Sequence, residues 1–154
     1  MATVSPSWAY TLHLPRDPRS PGIARTTLRA VLAARGMAEL VPTAELLAAE
    51  LLANAHLHTR GPYALRIRGE ERGRLQVGVW DRDPRVPAGF RADGEPVVVA
   101  GEEDEHGRGL QLVRACADAW GVSVLREHGA SRGGKLLWVE CHPDGVGRRP
   151  AGGG

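Results

Sequence analysis

Apolar and polar positions alternate from Trp8 to Leu14, with Trp8, Tyr10, Leu12 and Leu14 on one side, which is the two-residue period of a strand. Pro15 ends that run. Ser20-Pro21 opens a helix on which Ile23, Thr27, Val31 and Ala34 recur on one face, and Gly36 supplies its stop. A second helix begins at Pro42-Thr43, with Thr43 as its cap, and runs to Thr59 ahead of the breaker Gly61-Pro62. Tyr63 to Arg68 and Leu75 to Asp81 both alternate, with a turn at Glu70–Gly73 between them, and read as an antiparallel hairpin with one solvated face. Residues 82–106 break the pattern, and a loop of roughly 25 residues inside a compact domain is a lid, a binding loop or a disordered segment. Helical spacing returns from Gly107 to Trp120, and Val122–Arg126 and Lys135–Glu140 read as two further strands. Adjacent hairpins in this order predict an α+β, two-layer sandwich: a mixed, mostly antiparallel sheet with helices on one face. The domain spans 8–141, after a loose lead-in at 1–7. The stretch 142–154 is rich in Gly, Pro and Arg without apolar pattern, and is expected to be a disordered tail.

The second helix breaks the simple pattern. At about 100° per residue, Glu50, Asn54 and His58 form one stripe, each offset by about 40° from the last. Leu46 and Leu57 flank that stripe on one side and Leu51 on the other, with Leu47 inside it. The polar face is expected elsewhere, around Glu45, Ala49, Leu52 and His56. Glu50 and Asn54 therefore sit within an apolar arc, where an unpartnered carboxylate costs several kcal/mol before relaxation, on the order of the burial penalty of an ion. Such a group calls for a hydrogen-bond network, a cation or a ligand. His56 and His58 do not share a helix face, which argues against a metal pair.

Composition narrows the class. The 154 residues carry 20 basic and 18 acidic side chains, a formal charge of +2, and of the basic residues only Lys135 is a Lys. Arg is spread along the chain and offset by acids rather than clustered, so no direct nucleic-acid partner is expected. No run approaches the ~18 apolar residues of a membrane span, and Met1 to Tyr10 lacks a basic region followed by an apolar stretch. Cys116 and Cys141 are isolated thiols. A reduced, cytoplasmic protein without membrane association is the expectation.

Two further features follow in chain order. Asp81 closes a strand, where a carboxylate facing a cleft can accept a hydrogen bond from an exocyclic amine. His106-Gly107-Arg108-Gly109-Leu110 stands where the long loop becomes a helix; the glycines admit a phosphate to the backbone and the helix N-terminus offers unpaired N–H groups. The set is a Glu-x-x-x-Asn helix, an Asp at a strand end, a long loop, then Gly-x-Gly-Leu opening a helix. It resembles the GHKL ATPases, the class of Hsp90-type chaperones, gyrase-type ATPase domains and sensor histidine kinases. Within that class it is most similar to the small anti-sigma regulatory factors that act as serine kinases. The stretches that carry the resemblance are Leu47–Thr59, Val77–Pro87, Gly107–Val122 and Gly134–Glu140.

The resemblance implies a Bergerat-type ATP-binding fold with ATP and Mg²⁺ as cofactors. It implies that Asn54 holds Mg²⁺, that Glu50 is the general base, and that Asp81 accepts from the adenine amine. It also implies that Gly107, Arg108, Gly109 and Leu110 lie beside the phosphates, with His58 at a position where many small members carry a His. The implied activity is phosphorylation of a serine on an antagonist protein, with sequestration of a sigma factor; the implied partners are that sigma factor and an anti-anti-sigma-type antagonist, and a homodimer is the implied assembly. The alternative is a catalytically inactive partner-binding module on the same fold. The chain departs from the pattern at three places. The usual Asp-x-Gly-x-Gly is Asp81-Arg82-Asp83-Pro84-Arg85, Leu136 stands where a Thr commonly joins the adenine network, and the acidic pair Asp104-Glu105 precedes the lid glycines. Lys135, at the entry to the last strand, falls near the adenine end of the expected pocket rather than near the phosphates.

Overall fold

The computed structural model describes residues 7–70, 73–87, 117–125 and 134–143. Strand β1, Ser7–Leu14, leads into helix α1, Ser20–Ala34. A single 3₁₀ turn, Ala38–Leu40, passes directly into helix α2, Val41–His58. Strands β2, Tyr63–Glu70, and β3, Leu75–Asp81, form the expected hairpin. Strands β4, Ala119–Leu125, and β5, Gly134–Cys141, complete a five-stranded sheet of order β1-β2-β3-β5-β4. Every strand pairing among the described residues is antiparallel. With α1 and α2 laid on one face of the sheet, this is the expected α+β two-layer sandwich.

The ends of α1 follow from its sequence. Gly36 has φ +72°, a left-handed conformation that glycine adopts without a Cβ penalty. That geometry lets Gly36 N–H donate to Ala33 O and Met37 N–H to Leu32 O, closing the helix with a Schellman pair of bonds. The buried side chains of α1 are Ser20, Ala24, Leu28, Val31 and Leu32. Of the expected stripe only Val31 is buried; Ile23 is 51% exposed. The leucines at four-residue spacing, which bring more apolar area to the sheet than Thr27 and Ala34, set the face that turns inward.

Helix α2 starts one residue ahead of Pro42, and Thr43 lies within it rather than capping it. Its buried side chains include Ala44, Leu47, Ala48, Leu51, Leu52 and Ala55. Leu52 is fully buried, so the expected polar face is narrower than the wheel suggested and holds Glu45, Ala49 and His56 at its borders. Arg29 of α1 pairs with Glu45 of α2 at 2.7 Å. Leu46 and Leu57 are instead exposed, at 41% and 53%. The other inward contributions come from Tyr63, Leu65, Ile67, Leu75, Val77, Leu137 and Val139. Each such large side chain contributes roughly 1.5–3 kcal/mol on burial.

Strand β4 begins at Ala119, three residues before the expected Val122. Ala119 and Trp120, read from spacing as the end of a helix, pair with Glu140 and Val139 of β5. Asp118 N–H donates to Glu140 O, which extends the ladder one residue further back. Cross-strand partners, absent from a helical-spacing argument, decide these residues. Residues 107–116 of the expected helix, most of the expected lid and nearly all of the expected tail lie outside the described residues.

Candidate functional site

Buried Asp81 and Lys135 and half-buried Asp83 come together at one end of the sheet. Asp81 ends β3 and Lys135 is its direct register partner on β5. On β3 the inward side chains are Leu75, Val77, Val79 and Asp81; on β5 they are Lys135, Leu137, Val139 and Cys141. The two-residue period of both strands thus carries one charge each onto the helix-covered face. Gly134 is what permits the approach: a Cβ there would collide with the carbonyl oxygen of Asp81 and with the Trp80 indole.

Lys135 Nζ lies 2.8 Å from Asp81 Oδ1, and the two side chains are 3% and 1% exposed. The same ammonium donates to Asp83 O at 2.6 Å. Asp83 N–H donates to Asp81 Oδ1 at 2.8 Å. Oδ1 therefore accepts from two donors. Oδ2 is the one fully buried side-chain polar atom among the described residues that has no hydrogen-bond partner. Burial pushes the Asp81 carboxyl above the usual carboxylate range, against the opposing pull of Lys135. Asp83 in turn is held low, first by its hydrogen bonds from Arg85. Arg85 grips both Asp83 oxygens through Nε and Nη2, which closes the turn after β3.

Helix α2 packs chiefly on β3 and also on β5. Asn54 is 5% exposed, and its side-chain amide makes no hydrogen bond to another described residue. Glu50, one turn earlier, is half-buried and likewise makes no hydrogen bond or ion pair among the described residues. His58 is exposed and lines, with Thr59, Arg82 and Asp83, an open cleft of about 450 Å³ between the end of α2 and the turn after β3. The described residues contain no group of three or more His, Cys, Asp or Glu side chains placed to hold a metal ion. Nor is any described helix long and apolar enough to cross a membrane. Gly107, Arg108, Gly109 and Leu110 lie outside the described residues.

The register changes one reading. Leu136 pairs with Trp80 and Ser123 and turns to the other face of the sheet, away from Asp81. The side chain beside the carboxylate is that of Lys135. The signal was present in the sequence: Lys135 shares its parity with Leu137 and Val139, an inward row.

One buried carboxylate oxygen thus stays unpaired at the end of a central strand of the two-layer sandwich, on the face that α2 covers. The histidine kinase-like ATPase domain matches residues 14–139, and the chain belongs to that family. Domains of this family bind ATP. Over 84 residues the chain is 38% identical to an uncharacterized protein of Streptomyces coelicolor, SCO4941, a stretch covering 54% of this chain and 67% of that one.

Proposed function

We propose that this protein binds ATP with Mg²⁺ and acts as an anti-sigma regulator of the serine-kinase type, with a sigma factor and an antagonist protein as its partners. The observation that carries the reading is Asp81 Oδ2, a buried acceptor with its companion oxygen already saturated. An exocyclic amine is a donor of the right kind to satisfy it. Asn54 fits the metal: its amide oxygen is a hard ligand, nearly buried and not committed to another described side chain. Bound Mg²⁺ supplies neutralisation of triphosphate charge. Glu50, half-buried and uncommitted one turn away, takes the proton of an incoming serine hydroxyl. Positioning by α2 and the end of β3 accounts for the rest of what these residues do.

Titration calorimetry with Mg-ATP tests this reading. Wild type is expected to bind, Asn54→Ala to lose most of the affinity, and Glu50→Ala to retain binding while losing phosphotransfer to a cognate antagonist. Absence of ATP binding at millimolar concentration would refute it. The second reading, a partner-binding module without nucleotide, is favoured by the Lys135 salt bridge, which already gives Asp81 a cation. It predicts partner capture that neither ATP nor Asn54→Ala alters.

A further inference from the structure

We propose that the sheet face turned away from the helices docks a protein partner that sets acidic side chains over β2 and an apolar side chain over β3 and β5. The helices cover the face on which Val77, Val79, Leu137 and Val139 are buried, and the alternate residues of each strand point the other way. Register places Arg66 of β2, Gly78 of β3 and Trp138 of β5 side by side, and one row along it places Ala64, Trp80 and Leu136 in the same order. A recess of about 680 Å³ opens there, with Arg66, Arg68, Trp80, Leu136 and Trp138 in its lining. Glycines shape it. Leu136 lies against Gly78 and the Trp138 indole against Gly121, each where a Cβ would collide. These large side chains thus lie over a neighbouring strand instead of standing out from the sheet.

The recess has two chemically different halves. Arg66 and Arg68 project from the same side of β2, two residues or about 6.6 Å apart along the strand. Neither makes an ion pair among the described residues. Burial, and then the charge of Arg68, pull the half-buried Arg66 guanidinium below its ordinary value; a partner's carboxylates relieve that repulsion. Trp80, Leu136 and Trp138 make the other half apolar, and Trp and Arg are the residue types that anchor protein interfaces. Charge selects the occupant. A second copy packed about a two-fold axis on this face brings Arg66 and Arg68 of both subunits together, like charge against like. A nucleic-acid strand is anionic along its whole length and is repelled by Glu140, which stands on β5 in the row of Arg68 and Gln76. A protein segment can be acidic over β2 and neutral over β5, which suits both halves. The inference goes beyond the ATP reading and does not depend on it.

The test is selection from a random phage-displayed peptide library on the full chain, followed by fluorescence anisotropy of the selected peptides with wild type and variants. Peptides that join Asp or Glu to Trp, Phe or Leu are expected, and each should lose about tenfold in affinity, or about 1.4 kcal/mol, on Arg66→Glu, Arg68→Glu or Trp138→Ala. Changing the acids of such a peptide to Lys should abolish binding to wild type and restore it to the double variant Arg66→Glu/Arg68→Glu, a swap that a merely structural pair of arginines would not produce. If Trp138→Ala does not fold, Arg68→Glu decides, because Arg68 is exposed. Selected peptides that are indifferent to these substitutions, or that lack acids, overturn the proposal. So does oligothymidylate binding that the same variants abolish, which assigns the face to nucleic acid, or a wild-type dimer in sedimentation velocity that they dissociate, which assigns it to a second copy. Peptide affinity that rises when Glu102, Glu103, Asp104 and Glu105 are changed to their amides assigns the face to the chain's own acidic run and overturns it equally. Arg68→Glu should leave Mg-ATP binding unchanged, and absence of ATP binding by wild type would refute the functional reading without touching this one.

Discussion

Replacing Lys135 by Met isolates the energetics of the buried pair. The substitution keeps side-chain length and removes the charge. Asp81 Oδ1 then retains only Asp83 N–H, and Oδ2 still has no partner, in a side chain that is 1% exposed. Breaking a buried pair from one side costs about 3–5 kcal/mol, because an uncompensated charge stays behind. That is a large part of a domain's total stability, typically 5–15 kcal/mol in this size range, roughly. The loss should depend on pH with a definite sign. Burial already raises the Asp81 carboxyl above its ordinary value; Lys135 is the main influence opposing that rise, followed by the Asp83 backbone N–H, while the Asp83 charge pushes it up. Without Lys135 the folded-state value rises further. A raised acid contributes its stability below the unfolded value and loses it as pH rises through the folded value. The deficit of the Met variant should therefore be largest near pH 8 and shrink toward pH 5, by at most about 1.4 kcal/mol per pH unit. Urea unfolding of both proteins at the two pH values measures it. Asp81→Asn combined with Lys135→Met removes the stranded charge and should restore most of the loss. A deficit under about 1 kcal/mol at pH 8, the worth of an exposed pair, or one that does not change with pH, would refute the reasoning.

Gly134→Ala should destabilise by an amount comparable to a strained or overpacked core site, about 1–3 kcal/mol, since the new methyl meets the Asp81 carbonyl rather than a flexible side-chain end; thermal unfolding checks it, and an unchanged midpoint would mean that the strands separate easily here. Leu52→Ala should cost about 2–5 kcal/mol, because Leu52 is fully buried. Leu57→Ala on the same helix, at 53% exposure, should cost far less, and similar losses in the two would contradict the face assigned to α2.

Much of the architecture was legible because it rests on local periodicity. The alternation of Trp8 to Leu14, of Tyr63 to Arg68 and of Leu75 to Asp81 gave three strands nearly to the residue. The turn residues Gly36 and Gly73, both at positive φ, marked two boundaries. What sequence left open depends on neighbours distant in the chain. Ala119 and Trp120 fit a helix by spacing and become strand because β5 offers them partners. The inward face of α1 was decided by which stripe brings more apolar area to the sheet, a question about the partner surface. At the site, Asp81 and Asn54 were visible as chemistry in unusual places. The Asp81–Lys135 contact joins residues 54 positions apart and could be inferred only from strand register.

The sheet order has a consequence for how the molecule comes into being. The last described strand, β5, lies between β3 and β4, so the middle of the sheet is filled by the end of the domain. Until it arrives, β3 presents an unpaired edge bearing Val77, Val79 and Trp80, and edges of that kind invite pairing with other chains. During synthesis the domain therefore stays incomplete until Cys141 has been added. The step that covers the exposed edge is also the step that brings Lys135 to Asp81, so the site is finished only when the sheet is closed.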